Sequence, residues 1–135
     1  MRRRLLLLIL TAGLSSACGS LSRDFLISGT ITMAANLQAK IPHNNSVLFI
    51  IAKNMGGVPI AVRRIVNPQF PVSFSLTPDD LLIPGARPRT ELLLQVQMNS
   101  HGSLGTPSHG DLEGVHPDPV SPKEQGVHIT IDRKV

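Results

Sequence analysis

Residues 70–76 read Phe70-Pro71-Val72-Ser73-Phe74-Ser75-Leu76. Large apolar groups at every second position alternate with proline and serine, so an extended chain here puts one greasy face against a core and one small polar face toward water. Pro71 has no N–H to give, which places the strand at a sheet edge or turns that amide away from its neighbour. The same period recurs downstream. Leu92, Leu94, Val96 and Met98 alternate with Leu93, Gln95 and Gln97, and Val127, Ile129 and Ile131 alternate with His128, Thr130 and Asp132. Upstream, Phe25 to Thr32 reads as a first strand, and Val47 to Lys53 as an apolar run buried on both faces or central in its sheet. Pro59 to Val66 returns antiparallel after the turn Asn54 to Gly57. Thr77 with Pro78, Asp79 and Asp80 predicts one short helical turn, stopped by Pro84-Gly85. Roughly six or seven strands at such spacing predict an all-β fold, an antiparallel β-sandwich of Ig-like or cupredoxin-like kind.

Composition agrees with that fold. The chain of 135 residues has eleven Gly and eleven Pro, no Trp or Tyr, and four Phe, so the core must be aliphatic and joined by many turns. The formal charge is +4, but Arg2, Arg3 and Arg4 supply three of the positive groups within the first 17 residues. Without that segment ten Lys and Arg face nine acids. A nearly neutral domain with no basic stripe and no interleaved aromatics lacks the footprint of a nucleic-acid binder.

The first 17 residues have the order of an export signal: three Arg, an apolar run from Leu5 to Ala12, then Gly13, Leu14, Ser15, Ser16 and Ala17. The run is short for a transmembrane helix, which needs about 20 apolar residues. Ser16 and Ala17 before the one cysteine resemble the lipobox of bacterial lipoproteins, in which the cysteine is acylated and becomes the N-terminus. Cys18 is therefore the expected lipidation site, and residues 18–24 a tether ahead of a β-domain over 25–135. Ser15 stands where leucine is usual, and Ser15 with Ala17 also suits ordinary secretory cleavage. A single exported cysteine has no disulfide partner, which favours acylation. Gly19 resembles the sorting cue of lipoproteins sent to the outer membrane, so a lipid-anchored periplasmic location is expected, outer membrane before inner.

The chemistry-bearing residues are few. His43, His101, His109, His116 and His128 raise the question of metal, but the spacings of eight and seven residues among His101, His109 and His116 match no compact ligand motif. No metal site and no cofactor is predicted; covalent haem would need Cys-x-x-Cys-His. Asp111 and Glu113, two apart between Gly110 and Gly114, would share one face of a strand and so could hold a cation or a base. A glycine-bounded turn with both acids in water is the commoner reading of that stretch. Arg63 and Arg64 lie in a strand and point to opposite faces; with an acid such as Asp79 or Asp80 one of them could form a partner-binding patch or a surface ion pair. With no Gly-x-Ser-x-Gly elbow and no phosphate loop, no enzyme is predicted.

Taken in order, Gly29 to Thr32, Ala39 to Pro42, Leu48 to Lys53, Gly56 to Arg64, Phe70 to Asp80, Pro84-Gly85 and Gly110 to Gly114 resemble the C-terminal periplasmic domain of the CcmI (CycH) family of cytochrome c-type biogenesis proteins. Full-length members of that family are similar to assembly chaperones that hold apocytochrome c for haem attachment, and carry membrane helices and a tetratricopeptide domain ahead of this module. The resemblance implies a chaperone-like binding or assembly module accessory to cytochrome c maturation, with apocytochrome c or haem-ligation components as partners. Sheet edges, which accept extended peptides by β-augmentation, and the loop from Ser100 to Gln125 are the expected contact regions. The rival readings are a structural envelope lipoprotein docked on a larger complex and a periplasmic metal-binding protein.

Overall fold

The computed structural model describes residues 24–41 and 45–135. Cys18, the signal segment, most of the tether and His43 lie outside them. Eight strands run in chain order: β1 (Ile27–Met33), β2 (Val47–Lys53), β3 (Pro59–Val66), β4 (Val72–Leu76), β5 (Leu93–Asn99), β6 (Leu112–Val115), β7 (Val127–Ile131) and β8 (Arg133–Lys134). They form two sheets, one ordered β4-β1-β7 and the other β3-β2-β5-β6-β8. The fold is the expected β-sandwich.

Period-two patterning decides which face each strand buries. Val72, Phe74 and Leu76 of β4, Leu94, Val96 and Met98 of β5, and Val127, Ile129 and Ile131 of β7 all enter one core with Phe25, Ile27 and Ile31. In β2, Leu48, Ile50 and Ala52 join that core, while Val47, Phe49 and Ile51 form a second small cluster with Val62 on the outer face of the larger sheet. β2 is thus central and buried on both faces. β4 is an edge strand, and Pro71 lies just ahead of it.

All pairings are antiparallel except β1 with β7, which is parallel with Gly29 opposite Val127. The chain can place them so because it crosses between the sheets before β7 and again after it. At Asp132 it leaves β7, its N–H donating to the Glu113 carbonyl at 3.1 Å, and enters β8 beside β6. The sheets come closest where β6 faces β7: a Cβ on Gly114 would lie 2.1 Å from the Thr130 carbonyl oxygen. Only glycine fits there.

The helical turn predicted at Thr77 is a 3-10 turn, Pro78–Asp80, and the Asp80 carboxylate accepts the Thr77 N–H at 2.8 Å. A second 3-10 segment, Ala35–Lys40, follows β1 and buries Leu37. One end of the sandwich, called lower here, holds Asp24, the β2–β3 turn and residues 77–92. The upper end holds Ala35–Lys40 and residues 99–111.

Candidate functional site

The outer face of the larger sheet is built on strict register. Arg64, Phe49, Gln97, Glu113 and Arg133 lie on one rung across β3, β2, β5, β6 and β8. Residues opposite one another in a ladder share a face, so this rung sets an arginine at each end and an amide and a carboxylate between. β5 offers Gln95, Gln97 and Asn99 at period two, and the chain beside it offers Asp111 and Glu113 at the same period. Amide donors therefore meet carboxylate acceptors: Gln95 Nε2 donates to Glu113 at 3.4 Å, and Gln97 Nε2 to Asp111 at 3.4 Å. Lys53 donates to Gln95 and Arg133 pairs with Glu113 at 3.4 Å, which extends the network across four strands.

This overturns the reading of Asp111 and Glu113 as solvated acids of a turn. Glu113 is half-buried in β6 and Asp111, just ahead of it, is 5% exposed. The reason is not local: residues 99–108 fold back over the outer face and bring their own donors. Ser108 N–H reaches Asp111 Oδ2 at 2.8 Å and His101 Nε2 reaches it at 3.1 Å. Burial by itself would raise the Asp111 carboxyl, but the Ser108 hydrogen bond, the bond and charge of His101 and the Gln97 amide together hold it below the ordinary 3.8. Asn99, also buried, ties the loop twice, accepting from Gly102 N–H at 2.8 Å and donating to the Ser103 carbonyl at 3.0 Å.

Ser103 Oγ meets His101 Nδ1 at 2.9 Å, so hydroxyl, imidazole and carboxylate stand in the order of a hydrolase relay. Of the main-chain N–H groups in this loop, that of Gly102 is bonded to Asn99. The three groups act as a clasp on the loop. Beside it a cleft of about 170 Å³ opens between His101, His109, Asp111 and Lys40. The side chains of Lys40 and His109 have no hydrogen bond or ion pair with the described residues. Neither has that of Arg64, which is exposed and stands next to the loop at Gly102.

Arg63 goes the other way. Its guanidinium pairs with Asp80 at 3.5 Å and donates to the Ser75 carbonyl of β4 at 3.0 Å, linking the two sheets along their open side. The structure therefore brings Asp111 and Glu113 together, sets Arg64 on their face, and turns the Arg63 guanidinium away toward Asp80 and Ser75. Cys18 lies outside the described residues. Among those residues no three side chains of metal-ligating type converge. His128 bonds to Thr32 on the smaller sheet at 3.2 Å, remote from His101.

The sheet edges are covered in part. Pro71, just ahead of β4, has no N–H, and within β4 the Ser75 carbonyl is taken by Arg63. On β3 the Ile60 carbonyl accepts Leu82 N–H at 2.9 Å, and Ala61 bridges to Leu81. β8 is two charged residues long.

Residues 27–132 match the model of the Ig-like domain of cytochrome c-type biogenesis protein H. The chain belongs to that family. It is also 29% identical over 89 residues to a protein of Aquifex aeolicus (strain VF5) described as uncharacterized, a match covering 65% of this chain and 59% of that relative. No solved structure matches. The sequence missed Gln97, Asn99, Ser103, Ser108 and Lys40 as parts of the site. Three amides at 95, 97 and 99, facing two acids at 111 and 113, were the signal that could have found the first two.

Proposed function

We propose that this member of the cytochrome c biogenesis family is a lipid-anchored, non-catalytic binding module on the periplasmic side of the envelope, accessory to cytochrome c maturation. It grips a protein partner, apocytochrome c or a haem-ligation component, through residues 99–111 and the adjoining sheet face. One observation carries the choice of face: Arg64, Lys40 and His109, all able to donate hydrogen bonds, stand without partners among the described residues around a polar surface whose other groups are already bonded. That arrangement suits a segment rich in carbonyls or carboxylates. On β3 and β4 the bonds at Ile60, Ala61 and the Ser75 carbonyl obstruct β-augmentation over part of each edge. Cys18 supplies the anchor in this reading, and Gly19 favours the outer membrane.

The test is a pull-down of apocytochrome c peptides on the purified full chain, with c-type haem staining of a deletion strain. Peptide binding that weakens in Arg64→Glu, with reduced haem staining in the strain, is the expected result. No binding together with normal staining refutes the proposal. Tight co-purification with an envelope assembly unrelated to haem would replace it with the structural reading.

A further inference from the structure

Four of the most exposed large apolar side chains gather at the lower end of the sandwich: Ile83 at 72%, Met55 and Val58 at 57% and Leu82 at 55%. Met55 and Val58 come from the β2–β3 turn, and Leu82 and Ile83 from the segment after the 3-10 turn. Val58, Leu82 and Ile83 line one apolar groove with Pro59, Ile60 and Ala86, about 380 Å³ in volume. A monomer in water has no use for such a cluster on two separate loops. The chain also enters the fold here. Asp24, the first described residue, meets Arg87 at 3.8 Å and Lys123 at 4.0 Å, and Arg87 and Pro88 line both the apolar groove and the neighbouring pocket that contains Asp24.

We infer that this end rests on the membrane, with Ile83, Leu82, Val58 and Met55 entering the acyl boundary. The inference rests on the acylation of Cys18. Only five residues lie between Cys18 and Asp24, and the six steps of about 3.6 Å reach no more than about 22 Å. An acyl chain at Cys18 therefore holds the lower end close to the lipid whatever path the tether takes. Arg87, Arg89 and Lys123 lie among Asp24, Glu91 and Glu124, so apolar contact, not net charge, selects the surface. The polar face around His101 and Asp111 is then carried at the far end, turned toward the aqueous compartment.

The experiment uses the full chain, purified from membranes and placed in vesicles of phosphatidylethanolamine and phosphatidylglycerol. Intact mass first establishes whether Cys18 carries acyl chains. With that thiol blocked by lipid, Ile83→Cys gives one labelling site for a polarity-sensitive dye, and Gly105→Cys gives a control in open space on the upper loop. The dye at 83 should be blue-shifted and quenched by brominated lipid; the dye at 105 should be quenched by aqueous iodide alone. Equal iodide quenching at both positions in an acylated protein overturns the orientation and leaves the anchor standing. Protection at 83 from both quenchers means that protein covers the groove, and also overturns it. A chain without acyl mass removes the anchor and this inference together.

Discussion

Replacing Asp111 by asparagine should cost about 1 kcal/mol of stability and replacing it by alanine about 3 kcal/mol, because the two changes remove different things. The three donors from Ser108, His101 and Gln97 all reach the same oxygen, Oδ2. An asparagine with its carbonyl oxygen in that place keeps an acceptor and loses only the charge, and charged hydrogen bonds are about twice as strong as neutral ones. Alanine removes the acceptor. Ser108 and His101 are exposed enough to turn to water, but Gln97 is 2% exposed, and its stranded amide adds about 1–3 kcal/mol. At about 4 °C per kcal/mol for a domain near this size, the alanine variant should melt roughly 12 °C lower. The chain has no Trp or Tyr, so unfolding is followed by far-ultraviolet circular dichroism in urea. The charge term also has a pH signature. The folded carboxyl lies below the ordinary 3.8, so as pH falls the unfolded chain takes up its proton first. The stabilisation is complete above the ordinary value and disappears as pH falls through the folded one. The gap between wild type and Asp111→Asn should therefore close in acid. A gap unchanged down to the lowest pH at which the fold survives would refute the charge argument, and equal loss in both variants would refute the stranded amide.

Gly114→Ala should abolish the stable fold or cost about 3 kcal/mol or more, since its methyl would meet the main chain of β7 at 2.1 Å. Gly105→Ala, where nothing lies within 4 Å, should be near neutral in the same urea titration. Phe49→Ala should cost about 3 kcal/mol although Phe49 points away from the main core, because it is 5% exposed within the outer cluster; a loss under about 1 kcal/mol would show that this cluster packs loosely. Arg63→Ala should lower stability by only about 1 kcal/mol, as expected for a pair with a 38% exposed arginine, yet increase self-association in sedimentation by freeing the Ser75 carbonyl on the edge of β4.

Strands were legible where a buried face forces alternation. Phe70 to Leu76 and Val127 to Ile131 each present one apolar side, and the structure buries that side in both. The continuous run of β2 was legible for the opposite reason, since both of its faces are covered. The short β6 was not, because four residues within a stretch rich in Gly, Pro and His show too little pattern to distinguish a strand from a turn. Nor could composition give the burial of Asp111. That depends on His101 and Ser108 folding back across the sheet, and a contact between distant parts of the chain has no local signal. The Ala35–Lys40 turn has no side-chain cap to announce it.

In the proposed reading the two arginines of β3 would let one strand serve stability and recognition at once. Adjacent residues on a strand face opposite ways, so Arg63 turns to the open side between the sheets and Arg64 to the outer face. Arg63 meets Asp80, which the Thr77 N–H already holds in place, and it takes a carbonyl that would otherwise invite another chain. That bond occupies one main-chain group of the β4 edge, and in the proposed reading recognition passes to side chains. Arg64 is left for that role. Its neighbours on the rung, Phe49 and Gln97, are buried and fixed, so its guanidinium stands on a rigid base beside the clasped loop. Arg64 stands next to the loop at Gly102, and exchanging Arg63 and Arg64 for alanine should separate the two roles, the first change acting on self-association and the second on binding.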